Sequence, residues 1–365
     1  MTEPLLLMTP GPTRVPESVL SAGAMPMLHP RSGEFSVVLA SVLERLRRLF
    51  GAAGTVLPVH SSGRGAMEAT IVNLLREGDT IVACCNGRFG EMWAEHAERH
   101  GIVVHRVACD WSRDIDLDDV EQALVSHPEA KALTFAHCDT ATGVANDAEA
   151  LCRLAHSRGV LAIVDAISTI GGAEFRFDEW SADVAVTASQ ACLMSSPGMA
   201  FVALSERARR LSAKNGCRVS YWDFTSIERF LGSGAPDTPA ATPVHIVCQL
   251  DAALRCIEAE GLQTVFVRHE VMSAMVRERL PAMGLELAFP LLQELSPTLT
   301  AIRCPAGSRS SGILRGLHAR GILVAPGVEP HDAEYFRIGH LGDIRSKDVA
   351  RTLDALEEVL AASVA

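Results

Sequence analysis

The sequence predicts an α/β protein, with a large, mostly parallel sheet layered between helices and a smaller carboxyl-terminal α/β unit. Three observations carry that expectation. Short runs rich in β-branched residues alternate with longer amphipathic stretches. The chain has 365 residues, long enough for one large and one smaller unit. The texture also changes near Thr242, where two long helical patterns interrupt the alternation.

In chain order, Thr80–Cys84, Val103–Val107, Ala132–Ala136, Leu161–Val164, Val184–Thr187 and Ala200–Leu204 read as strands. Between them Glu91–His100, Leu117–Ser126 and Ala148–Ser157 read as helices, long enough for right-handed crossovers between parallel strands. The Gly/Pro/Ala-rich stretch Gly232–Pro243 reads as a junction. Beyond it come helices over Val244–Glu260 and Gln263–Leu280. Strands follow over Leu285–Ala288, Leu299–Arg303, Ile322–Val324 and Tyr335–Ile338, with helices over Ser310–Ala319 and Lys347–Ala361. The expected division is a large domain over residues 15–241 and a small one over 242–365, joined by the amino-terminal segment 1–14.

Hydrophobic residues make up 48% and charged residues 21%, an ordinary globular composition. No apolar run approaches the roughly 20 residues that cross a bilayer. The short run Leu5–Met8 follows Glu3 and leads into Pro10-Gly11-Pro12, which does not read as a secretory signal. A net charge of −11 argues against nucleic-acid or anionic-membrane partners. The 10 cysteines show no zinc-type spacing, so no metal site is expected. Reduced thiols and a cytoplasmic location are the expectation. Only Lys131, Lys214 and Lys347 carry an amine side chain.

Several segments place chemistry-bearing residues at turns. Ser61 to Ala69 is a glycine-rich turn opening a helix, where unpaired N–H groups cradle an anion and Ser62 and Arg64 add donors, although such turns also simply cap helices. Asn86 to Gly90 follows a strand and presents Phe89, alternatively a core residue. His137 to Val144 lies at a strand's carboxyl end, where parallel α/β sheets bind ligands, and His137 and Asp139 equally suit a turn. Asp165 ends the apolar run of Ile163-Val164. A carboxylate there is costly unless paired, with helix capping or metal binding as plainer uses. Thr187 to Gly198 holds Ser189-Gln190-Ala191, and Thr9–Thr13 and Phe336–Gly342 frame the chain.

Taken in order from 9 to 342, these segments resemble class V aminotransferases of fold type I, the alanine–glyoxylate and serine–glyoxylate group, which use pyridoxal 5′-phosphate (PLP). The resemblance implies the PLP-dependent transferase fold, a homodimer with shared active sites, and transfer of an amino group from a small amino acid to a 2-oxo acid such as glyoxylate or pyruvate. It implies that Ser62, Gly63 and Arg64 hold the cofactor phosphate, that Phe89 and Ile167 stack on its two faces, and that Thr140 and Gln190 contact it. Asp165 keeps the pyridine nitrogen protonated, so that the ring acts as an electron sink. Thr242 reaches the phosphate of the neighbouring subunit's cofactor. Arg337 forks onto the substrate carboxylate, helped by the Gly11 backbone. Arg31 to Phe35 and Tyr221 to Phe224 are candidate specificity loops.

The departures are Arg64, where the family leads one to expect a small residue or histidine, and Ala191. The family places its Schiff-base lysine after Ser-Gln, so Ala191 is read as a lysine-to-alanine replacement that leaves this chain inactive or severely impaired. PLP is then held without a covalent link, or as the aldimine of a substrate amine. Alternatives are a natural lysine-less protein that binds PLP without turnover, a pyridoxamine–pyruvate type of aminotransferase, and a rewired site with His137 as base.

Overall fold

The computed structural model describes residues 4–108, 110–232 and 234–364. Its strands are β1 (Leu6–Met8), β2 (Thr55–Val59), β3 (Thr80–Cys84), β4 (Val103–Val107), β5 (Ala130–Ala136), β6 (Leu161–Asp165), β7 (Val184–Ala188), β8 (Ala200–Leu204), β9 (Leu299–Arg303), β10 (Ile322–Pro326) and β11 (Tyr335–Gly339). Seven of them form the large sheet in the order β2-β8-β7-β6-β5-β3-β4. The pairs from β7 through to β4 are parallel, and only β8 runs against its neighbours.

Both faces of this sheet are buried, which explains why its strands read as near-continuous apolar runs. The period of two sends alternate residues to opposite faces. Ala162 and Val164 join a core with Phe35, Leu46, Phe135, Phe201 and Leu250. Leu161 and Ile163 join a second core with Met67, Ile71, Trp93 and Val186. The first core lies under helices Gly33–Phe50, Leu117–Ser126, Ala148–Ser157 and Val244–Glu260; the second lies under Gly63–Leu74, Arg88–Arg99, Glu206–Asn215 and Phe224–Leu231. The apolar face of Val244–Glu260 therefore packs on the large sheet through Val247, Leu250 and Leu254.

The smaller sheet has the order β1-β10-β11-β9. Its core joins Leu6, Met8, Ile302, Phe336 and Ile338 to Met272, Leu317 and Leu353 of the covering helices. The amino-terminal strand β1 pairs in parallel with β10.

Two local expectations change and one strand is added. Leu285–Ala288 forms no strand: Leu287 meets Ile302 in an isolated bridge, and Arg303 N–H bonds the Glu286 carbonyl at 2.9 Å. The chain turns away at Phe289-Pro290, so the pairing stops there. Conversely, Thr55–Val59 is a strand although it contains Pro58, because it occupies the sheet edge, where a missing N–H is tolerated. The expected specificity loop at Arg31 to Phe35 is a helix start. Ser32 Oγ accepts the Phe35 N–H at 3.2 Å, and Phe35 is fully buried, so its ring serves the core.

Phe201 lies on β8, sandwiched between β2 and β7 and fully buried. Phe201→Ala should cost about 3–5 kcal/mol in urea unfolding, and a loss below 1 kcal/mol would mean the core collapses around the site.

Candidate active site

The carboxyl ends of β5, β6 and β7 lie side by side, with Asp165 registered against Ala136 on one side and Val186 on the other. Asp165 shares its face with Ile163, the face covered by helix Gly63–Leu74. Its side chain is buried, and Oδ1 accepts the Ile167 N–H at 2.9 Å. Oδ2 has no hydrogen bond among the described residues. Burial pushes this carboxyl up to about 7, and the neighbouring Asp139 adds to the rise.

Asp139 is fully buried and organises the neighbouring loops. One oxygen accepts the N–H groups of Phe89 and Gly90 at 2.7 and 3.1 Å, and the other accepts that of Ala141 at 2.9 Å. A Cβ at Gly87 would overlap this carboxylate, so the turn presenting Phe89 closes only with glycine there. The next residue, Thr140, shares a 2.6 Å hydrogen bond between its hydroxyl and that of Ser168. Its carbonyl accepts Arg337 Nη1 at 2.7 Å, while Arg337 Nε donates to the Pro326 carbonyl at 2.9 Å. Arg337 forms no ion pair among the described residues, and burial lowers its pKa. A guanidinium held by carbonyls keeps its charge for an incoming anion.

Ser62 ends at the amino terminus of helix Gly63–Leu74 without a side-chain capping bond, and both Ser62 and Arg64 are exposed. A Cβ at Gly63 would overlap Ile167 Cδ1, so this glycine lets the helix approach the Asp165 loop. Ile167 also packs with Ala191, Cys192 and Leu341. Phe89 and Ile167 both lean, partly exposed, on the second core.

Ala191 lies in the connection that reverses the chain from β7 into antiparallel β8. Ser189 clamps this connection: its N–H bonds the Met199 carbonyl at 2.9 Å, and its Oγ donates to Ser196 O at 2.6 Å. Gln249 Oε1 accepts the Ser196 N–H at 3.1 Å. From the other side, Thr13 N–H bonds the Gln190 carbonyl and Thr13 Oγ1 the Ala191 carbonyl, each at 3.0 Å. That contact brings the exposed Gly11 segment to the site. Ala191 itself is 3% exposed. Gln190 Oε1 is buried without a partner.

The geometry thus links Gly63, Asp165, Ile167, Ala191 and Leu341, and links Phe89, Asp139, Thr140 and Arg337. Thr242 stands apart from both groups, its hydroxyl bonded to Thr238 of its own chain. His137 falls one residue beyond Ala136, hence on the opposite face from Asp165. It packs against Phe175 and Trp180 at 5.6 and 5.8 Å, and burial lowers its pKa to about 4. It is no base for this site. Ser168, Thr13 and Gln249 were not singled out from the sequence, since their contacts join positions far apart in the chain.

Residues 7–331 match the family model for aminotransferase class-V. The small subunit of a soluble hydrogenase from Synechococcus sp. strain PCC 6716 is 36% identical, covering 99% of this chain and 94% of that protein. An L-aspartate–glyoxylate aminotransferase from Paracoccus denitrificans is 32% identical, covering 99% and 92%. The crystal structure of an alanine–glyoxylate aminotransferase from Nostoc sp. superposes with a TM-score of 0.93 at 28% identity, covering 99% of this chain and 96% of that one. The fold is that of the PLP-dependent enzymes of fold type I. This chain belongs to the class V aminotransferases.

The residues present fit that cofactor. Asp165 keeps an unpaired oxygen in a dry site that favours a cationic partner. Gln190 carries an orphaned buried acceptor, and the helix opening at Gly63 has N–H groups for a phosphate.

Two predictions follow from this geometry. The folded chain holds the Asp165 proton to a higher pH than the unfolded chain, so this carboxyl should contribute a downward slope to the stability of cofactor-free protein as pH rises from about 4 to about 7, against the opposite slope of the buried His137 and His269. Asp165→Asn should flatten that slope in urea titrations; an unchanged slope would assign it to other groups. Gly87→Ala should destabilise the fold by about 1–3 kcal/mol through the disrupted Asp139 bonds and weaken PLP binding measured by fluorescence. Wild-type values on both measures would show that the turn relaxes.

Proposed function

We propose that this chain is an aminotransferase scaffold of the glyoxylate type, working on a small amino acid and a 2-oxo acid, in which Ala191 replaces the Schiff-base lysine and disables turnover. The observation that carries this reading is the packing of Ala191. It is buried against Ile167 and Leu341, beside the Asp165 loop, where a lysine amine would sit over the cofactor pocket. No other lysine substitutes. Lys131 is exposed near the amino-terminal end of β5, opposite the site, and Lys214 and Lys347 are exposed on covering helices.

PLP, when bound, supplies an electron sink for the substrate's α-carbon. Asp165 holds the proton on the pyridine nitrogen, and Phe89 and Ile167 confine the ring. Ser62, Gly63 and Arg64 bind the phosphate at the helix amino terminus. Thr140 and Gln190 orient the ring from its edge. Arg337 and the Gly11 backbone hold the substrate carboxylate, which fixes the reacting bond. Ala191 offers no amine to carry the cofactor and no base to move the α-proton, a task worth roughly 10²–10⁴-fold.

The reading includes a homodimer in which Thr242 approaches the partner's cofactor. Leu20, Met25, Met27 and Val37 are 50–70% exposed around the first two helices, apolar surface available for a second copy. Among the described residues no helix is long and apolar enough to cross a membrane.

The test is a visible spectrum with PLP and a panel of amino acids, beside Ala191→Lys. The lysine variant should retain the cofactor covalently after borohydride reduction, as read by mass spectrometry. It should also transaminate selected amino acids with glyoxylate or pyruvate at least about 10²-fold faster. A lysine variant that binds PLP but gains no turnover would favour a protein that binds without catalysis. Turnover of pyridoxamine, which lacks phosphate, would favour the pyridoxamine–pyruvate type.

A further inference from the structure

Away from the cofactor pocket, His105, His127 and Glu129 bring three metal-type donors together, one atom from each lying within 4.8 Å of the others. We propose that these residues form a binding site for a divalent cation of the zinc class, which ties the edge strand of the large sheet to the helix beside it.

His105 is the central residue of β4, an edge strand paired only with β3. Alternation sends the next residue, Arg106, to helix Arg88–Arg99, where it pairs with Glu91 and Glu98. His105 therefore faces the other side, toward helix Leu117–Ser126. His127 ends that helix, its N–H bonding the Ala123 carbonyl at 3.0 Å. A tight turn, closed by Ala130 N–H on the His127 carbonyl at 2.9 Å, brings Glu129 back beside it. The two imidazoles lie face to face with centroids 3.3 Å apart and planes 11° from parallel. Glu129 Oε1 lies 3.5 Å from His127 Nδ1.

Zinc–nitrogen bonds of about 2.0–2.1 Å in a tetrahedron separate neighbouring donors by about 3.3 Å. The stacked rings hold their in-plane lone pairs side by side rather than converging, and the candidate donor atoms lie within 4.8 Å of one another. Binding needs the rings to open from their stack, so that both lone pairs converge, and the carboxylate to swing in toward them. Both imidazoles are only half-buried and Glu129 is exposed, which permits these rotations. Strand and helix end fix the two backbones. Two imidazoles and one carboxylate select zinc, nickel or copper over magnesium or calcium. Three protein ligands leave one position to water. The cluster lies three strands from β6, so a cation here leaves the Asp165 pocket untouched.

The test uses the full-length chain with any purification tag removed. Zinc is titrated by calorimetry, and cobalt is added to report coordination through its visible bands. One equivalent should bind in the micromolar range or tighter, and should raise the melting temperature as free zinc increases. His105→Gln and His127→Gln should each weaken binding by at least about tenfold; Glu129→Gln should weaken it less. His331→Gln, at an exposed histidine beside Glu334, should change nothing, and PLP absorbance should be the same in all variants. Far-UV circular dichroism checks that each variant is folded. Absence of saturable binding, binding that survives both histidine substitutions, or cobalt bands of thiolate character would overturn the site.

Discussion

The Asp139 carboxylate is the interaction on which the site depends. It is buried without a cationic partner in contact, and three backbone N–H groups satisfy it, two from the first turn of helix Arg88–Arg99 and one from its own loop. Such a group is costly in a dry interior unless its bonds are complete. Completing them fixes the Phe89 turn against the strand end of β5 and admits only glycine at 87. The same loop passes to Thr140, whose carbonyl receives Arg337 from the smaller sheet. Phe89 and Arg337 are therefore both held by one short segment. Burial favours protonation of Asp139 while the three N–H bonds favour its charge; the net direction is upward.

A second constraint is the reversal between β7 and β8. Six strands of the large sheet could have been joined by crossovers alone, but β8 runs back against β7. The connection must then reverse over residues 189–199, starting at the carboxyl end of β7. Ser189 and Gln249 hold it from below and Thr13 from above. Ala191 sits at the centre of this clamp. A lysine placed there would have its backbone fixed on both sides, so that only its side chain need move during a reaction. The scaffold around Ala191 has that organisation with a methyl group as the side chain.

The parallel strands and covering helices were legible because both sheet faces are buried and the apolar runs are correspondingly strong. Pro58 obscured an edge strand, since proline is excluded from the interior of a sheet but not from its border. Phe35 read as part of a loop because the capping role of Ser32 is only three residues away and easily passed over. Asp165 stood out as a charge ending an apolar strand. Asp139 did not, because an aspartate before Thr-Ala-Thr-Gly is equally a turn residue; its three donors come from residues 89, 90 and 141, two of them about fifty positions away. His137 shows the same limit in reverse: Asp139 and Thr140 follow two and three residues on, yet alternation puts the His137 ring on the face away from Asp165.

The sequence by itself determined the α/β class, the order of the candidate segments, and the alanine that follows Ser189-Gln190, because each of these resides in local pattern or in a short motif. Only the tertiary structure decided which of those segments converge. It joined Gly63 to Ile167 and Ala191, put Arg337 on Thr140, removed His137 from the site, and stacked His105 on His127. These contacts span tens to hundreds of residues along the chain, and strand order, sheet face and loop closure set them; none of the three is encoded within any single segment.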